Sequence, residues 1–231
     1  MIKDCTEKIK SIASKYANNK LVFTYLRSLC DYAKYANLSY QLFEKVYNEH
    51  RQIIDEKQSI LIEKAISAPN TKIAIHESDL QSGSVNICGL KVIRDHYLQK
   101  CVCDFFHFAR MCTDEVLQLI NEIFAEDKID SEHVTPGKLL ETIKDKKAKT
   151  VVEYLWQDND LQYLVDADNY LKHINIVTIK LADMPWAHHI FISGFRKRNH
   201  DYPAKEVIPL LNTLSIAVGN YLERCFDCLL Q

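Results

Sequence analysis

Glycine and proline are scarce in this chain. There are five of each in 231 residues, and neither occurs between Met1 and Ala68 or between Leu90 and Thr135. Both residues penalise helix interiors, so stretches this long without them favour helices. No apolar run approaches the roughly 20 residues a bilayer-spanning helix requires. The N-terminus, Met1-Ile2-Lys3-Asp4-Cys5-Thr6-Glu7, carries acids early and lacks a signal-peptide apolar core. A cytoplasmic location without a membrane partner is therefore the expectation. There is no Gly-rich phosphate loop, nucleophile elbow or zinc-hydrolase signature, and five glycines argue against a dinucleotide-binding fold. A formal charge of −2 offers no global attraction to nucleic acid, so any such contact must be local.

The apolar fraction is 47% and the charged fraction 26%, which suits an ordinary globular chain long enough for one large domain or two small ones. Eight cysteines do not require disulfides at this size. Cys101, Cys103, Cys112 and Cys225 sit in strongly apolar surroundings and read as small hydrophobes. Cys225-x-x-Cys228 has zinc-like spacing but no second knuckle, and His188-His189 has no carboxylate cluster to complete a site with His200 or Asp183. No metal or cofactor is expected.

The first 68 residues read as two or three helices, with Leu38, Leu42, Val46, Ile53, Ile54, Ile60 and Leu61 at helical intervals, ended by Pro69-Asn70. In residues 69–89, Lys72–His76 and Val85–Cys88 alternate around Ser82-Gly83-Ser84, which predicts a small β-hairpin or an irregular connector. A long helix is predicted from near Leu90 to about Ala125, with Tyr97, Cys101, Phe105, Phe108, Cys112, Val116 and Ile120 on its apolar face. Thr135-Pro136 is an N-cap followed by proline at the first helical position. Lys144, Lys146, Lys147 and Lys149 form a basic stretch that reads as a solvated face. The next helix, capped by Asp158 or Asn159, is predicted to run to about Ala182; a loop or short hairpin follows to Asp201, and Pro203 opens the last helix. The expected fold is all-α: a bundle over 90–231, with residues 1–68 as an added helical layer packed on it.

Chemistry concentrates in Asp168-Asn169-Tyr170-Leu171-Lys172-His173. Asn169, Lys172 and His173 fall three and four residues apart and share one helix face. A histidine with an asparagine one turn before it can carry protons or hold a polar ligand. The loop Gly194–Tyr202 mixes the basic side chains Arg196, Lys197, Arg198 and His200 with aromatics, a composition that can grip phosphates and stack bases. Asp104, His107 and Arg110 read as a polar ladder down the long helix, extended by Asp114 and buried at a packing face.

The arrangement from Leu90 onward resembles HEPN domains, helical bundles named for higher eukaryote and prokaryote nucleotide binding. Asp104-Phe105-Phe106-His107-Phe108-Ala109-Arg110 through Asn121 looks like the family's first core helix, and Asp168–His173 looks like its signature helix. The resemblance covers about 140 residues, and some bacterial branches carry added N-terminal helices. It implies a homodimer with the signature helices facing each other, and metal-independent RNA cleavage by an arginine, a polar residue and a histidine. The polar position falls on Asn169 and the histidine on His173, the candidate catalytic pair, but the arginine position holds Asp168. A carboxylate repels a phosphodiester that a guanidinium would clamp. The resemblance thus implies an RNA- or nucleotide-associated binding or regulatory module with weak or absent nuclease activity; Lys172 and, from the composition of the loop, Arg196, Lys197, Arg198 and His200 are the candidate ligand contacts. An active RNase and a protein–protein scaffold are the competing expectations.

Overall fold

Capping side chains and apolar stripes set the helices. The computed structural model describes residues 1–3, 5–68, 83–173, 179–184, 187–197 and 199–231, with the backbone alone at 173, 179–184 and 187–188. Helix α1 spans Thr6–Lys15 and α2 spans Lys20–Ser67. Asn19 caps α2, its side-chain oxygen accepting from the backbone N–H groups of Leu21 and Val22. At 48 residues, α2 is about 70 Å long. Helix α3, Arg94–Phe124, runs antiparallel to it. Asn19 Nδ2 donates to Glu122 Oε1 at one end, Arg94 pairs with Glu49 at the other, and the rings of Tyr32 and Phe108 stack between them.

Four shorter helices complete the bundle among the described residues: α1, then α4 (Pro136–Thr142), α5 (Lys146–Gln157) and α6 (Asn159–His173). The apolar α7, Val207–Leu230, packs among them. One buried cluster joins Val22, Leu26 and Phe43 of α2 to Phe105 of α3, Val152 of α5, Leu164 of α6 and Phe226 of α7. The N-terminal helices therefore share the bundle's core, and α1 is tied along α7 by Lys8–Asp227 and by Lys15 Nζ donating to the carbonyl of Leu229. The molecule is mainly helical, as the scarcity of glycine and proline predicts. No helix among the described residues is long and apolar enough to cross a membrane.

Several boundaries differ from the sequence reading. Leu90 does not begin the long helix: Leu90–Ile93 (β2) pairs antiparallel with Ser84–Ile87 (β1). Their two-residue turn, Cys88-Gly89, has φ of 49° and 85°, the pair of positive values that a type I′ turn needs to match strand twist. The other predicted hairpin segment, Lys72–His76, lies outside the described residues. The basic stretch after Lys144 is the first turn of α5, capped by Asp145, whose side chain accepts from the Ala148 N–H. Ala148, Val151, Val152 and Leu155 bury its apolar stripe.

Helix α6 is capped by Asp158 but does not reach Ala182. Its helical span ends at His173, and Ile179–Met184 is a strand, β3, antiparallel to β4 (Ala187–Ile192). The sequence gathers β-branched Ile174, Ile176, Val177, Thr178 and Ile179 here, which lowers helix propensity and suits a strand. Strands β5 (Phe195–Lys197) and β6 (His200–Tyr202) form a hairpin. Pro203 does not open the last helix, because β7 (Lys205–Glu206) first pairs with β4. Pro209 instead occupies the first turn of α7, where its missing N–H costs nothing. Gly194 lets the hairpin close, since a Cβ there would lie 2.7 Å from the carbonyl oxygen of Tyr202.

The α2–α3 face also holds a misplaced carboxyl. Glu115 Oε2 is buried with no hydrogen-bond partner among the described residues, and burial, reinforced by Asp114, pushes its pKa up to about 7. A carboxyl raised in the folded state contributes stability that is full below the unfolded value and lost as pH rises through 7. Glu115→Gln should therefore flatten the decline between pH 5 and 8. At pH 8 it should raise stability by about 1 kcal/mol, a figure discounted because the side chain is only partly buried. Urea denaturation at both pH values tests this, and a Gln variant no more stable than wild type at pH 8 would refute it.

Candidate functional site

Gln162, Val165, Asp166 and Asn169 follow the i, i+3, i+4, i+7 spacing of one helix face, and together they form one wall of a cavity of about 390 Å³. The remaining lining comes from four elements that are far apart in sequence. Arg110 enters from α3 and Thr135-Pro136 from the start of α4. Leu155 and Trp156 come from the end of α5, and Lys197, His200 and Tyr202 from the β5–β6 hairpin. The volume falls in the range of small-molecule sites.

Several of the polar groups in the lining have an identifiable support. Arg110, whose side chain is 17% exposed, pairs with Asp114 one turn on and donates to Thr113 Oγ1 at 2.6 Å. Asp114 is raised by its burial, an effect opposed by the positive charges of Arg110 and Lys172. Lys197 has no ion-pair partner among the described residues, so its ammonium is available to a ligand. Asp166 Oδ2 accepts the Tyr202 hydroxyl at 2.7 Å. That bond, with ring contacts from Tyr202 to Phe195 and Tyr163 at 4.7 and 5.2 Å, fixes the hairpin against α6. The His200 ring lies 4.3 Å from that of Tyr202. Trp156, 43% exposed, presents an aromatic surface at the rim.

The candidate residues separate in space. Asn169, Lys197 and His200 line this cavity together. His173 is the last residue of α6, and its side chain lies outside the described residues, as does Arg198 entirely. Lys172 is held elsewhere: its Nζ pairs with Asp168 Oδ2 at 2.6 Å. Asp168 itself is buried, 2% exposed, with His107 Nδ1 at 3.7 Å from its other oxygen. Neither is among the residues described as lining the cavity. Arg196 is 68% exposed and lies 3.6 Å from Asp201.

The ladder read along α3 divides in the same way. Asp104 pairs with Lys100, His107 faces Asp168, and Arg110 turns into the cavity. His189 pairs with Glu206 at 3.0 Å, and all eight cysteines are free thiols.

Sequence reasoning passed over Arg110, Asp166 and Trp156 as site residues. For Trp156 a signal existed, the Asp145 cap followed by the apolar stripe of α5. Asp166 sits one turn before Asn169 on the same face. Arg110 had no local signal, because only the packing of α3 against α6 brings it to Asn169. Comparison with family models, curated proteins and solved structures gives no match for this chain.

Proposed function

We propose that this chain is a HEPN-like bundle whose cavity takes a nucleotide, free or as a unit of RNA, and that it serves as a binding or regulatory module. The carrying observation is one cavity lined by Arg110, Lys197, His200 and Asn169 beside the aromatic rings of Trp156 and Tyr202. Cationic and amide groups suit a phosphate and its sugar, and the rings suit a base. The concave basic lining favours this reading over a scaffold with only a polar helix face. A homodimer joined along α6 belongs to the same reading, from the family resemblance.

A second reading has one observation in its favour. Arg110 lines the cavity with Asn169, so a guanidinium stands near the signature helix although position 168 lacks one. With a histidine to move protons, that set is the minimum for metal-independent RNA cleavage.

Titration of purified protein with labelled single-stranded RNA and with mononucleotides, read by anisotropy and tryptophan fluorescence, tests the first reading. Lys197→Ala and His200→Ala should each weaken binding about tenfold and together reduce the salt dependence, since each removes a charged or polar contact. Unchanged affinity in the double variant would sink the proposal. RNA cleaved in the presence of a chelator, and spared by His173→Ala or His200→Ala, would decide for the second reading.

A further inference from the structure

The cavity lining contains one carboxylate among its cations, and that carboxylate is built in place. Asp166 Oδ2 receives the Tyr202 hydroxyl at 2.7 Å, and no other hydrogen bond or ion pair engages the group among the described residues. A carboxylate has about four lone-pair positions, so with one hydrogen bond at Oδ2 this cavity-lining group keeps acceptor capacity at both oxygens. An acid here is counterproductive toward phosphate, which it repels. It makes sense only opposite a part of the ligand that donates.

We propose that Asp166 is a specificity-determining residue that selects guanine. This inference rests on the nucleotide-binding reading above. Guanine alone among the common bases presents two adjacent N–H donors, N1–H and the N2 amino group, which match the two oxygens of a carboxylate. Adenine and cytosine each place a ring acceptor beside their amino group, which would face a carboxylate oxygen and be repelled. Uracil sets its single N–H between two carbonyl acceptors. The Tyr202 hydroxyl ties the carboxylate at one oxygen, while Lys197 and the part of the Arg110 guanidinium not engaged by Asp114 and Thr113 face the phosphate.

The test is titration of the intact protein with GMP, IMP, AMP, CMP and UMP, followed by tryptophan fluorescence and calorimetry. Wild type should bind GMP about ten- to a hundredfold more tightly than AMP, the discrimination of a good bidentate contact. IMP, which lacks the N2 amino group, should fall between them. Asp166→Asn keeps the volume but replaces one acceptor with a donor, so it should lose GMP affinity and leave AMP affinity the same or better. Tyr202→Phe, which frees the carboxylate without removing it, should narrow the preference less than Asp166→Asn does. Thermal melting shows whether each variant is folded. Equal affinity for all five nucleotides would overturn the guanine inference while leaving nucleotide binding intact. No binding to any of them or to single-stranded RNA would overturn both, and RNA binding without any mononucleotide binding would overturn the guanine inference alone. A GMP preference that survives Asp166→Asn would place the selectivity elsewhere and refute the role of Asp166.

Discussion

Asp168→Arg, the substitution that would complete the HEPN-like RNase motif, should unfold the protein rather than activate it. Asp168 is 2% exposed and is paired with Lys172 Nζ at 2.6 Å, with His107 nearby. Arginine there would remove the carboxylate paired with Lys172 and bring a second cation against it. It would also force a longer side chain into a packed position. Lys172 is 40% exposed and can turn to water, so the cost comes from burying a guanidinium beside it and overfilling the site, together about 4 kcal/mol or more, a large part of a domain's 5–15 kcal/mol. Urea denaturation and soluble yield would report it.

A folded, RNA-cleaving Asp168→Arg protein would contradict both the burial argument and the binding-module reading. Asp168→Asn separates stability from function, since it keeps the volume and removes only the charge. It should lose about 1–2 kcal/mol and bind nucleotides as wild type does, because Asp168 is not among the cavity-lining residues.

That contrast shows which parts of the site could be read from the chain. Caps were legible because they are local: Thr135 before Pro136 and Asp158 before α6 both act as their residue types predict. The end of α6 was not, because Ile174, Val177 and Leu181 continue a helical interval while the β-branched residues among them favour extension. Either period fits so short a stretch, and pairing with β4 decides it through tertiary contacts. Asn169 was legible as part of a helix face. Half the role of Asp168 was legible as well, since Lys172 follows it at i+4 and makes it the partner of a nearby base; its burial beside His107 was not, because His107 arrives from α3. Arg110 illustrates the deeper limit. Its spacing along α3 places it on one ladder with His107, yet the two side chains serve different surfaces once α6 packs across the helix.

Arg110 carries the second large effect, because it works in two places at once. Arg110→Met keeps the aliphatic stem and removes the guanidinium, so packing survives while charge does not. Asp114 then loses the nearer of its two positive neighbours. Its carboxyl is already raised by burial in the folded state and should rise further. A folded-state pKa above the unfolded value means stability that is present at low pH and lost as pH rises through the folded value. The variant should therefore match wild type best near pH 4 and fall behind as pH rises toward 7.5. Since 38% of the Asp114 side chain is exposed, the loss at neutral pH should be about 1–2 kcal/mol, well short of a fully buried orphan charge.

Nucleotide affinity should drop more steeply, about thirtyfold or greater, because a charge-assisted contact to phosphate is worth about 2–3 kcal/mol. Arg110→Lys should restore the stability near pH 7.5 but only part of the affinity, since an ammonium cannot reproduce the two-pronged grip of a guanidinium. Denaturation midpoints at pH 4.5 and 7.5, set beside titration with a mononucleotide, separate the two roles. If Arg110→Met proved destabilised yet bound with wild-type affinity, the guanidinium would serve only to hold Asp114, and phosphate recognition would fall to Lys197 and His200.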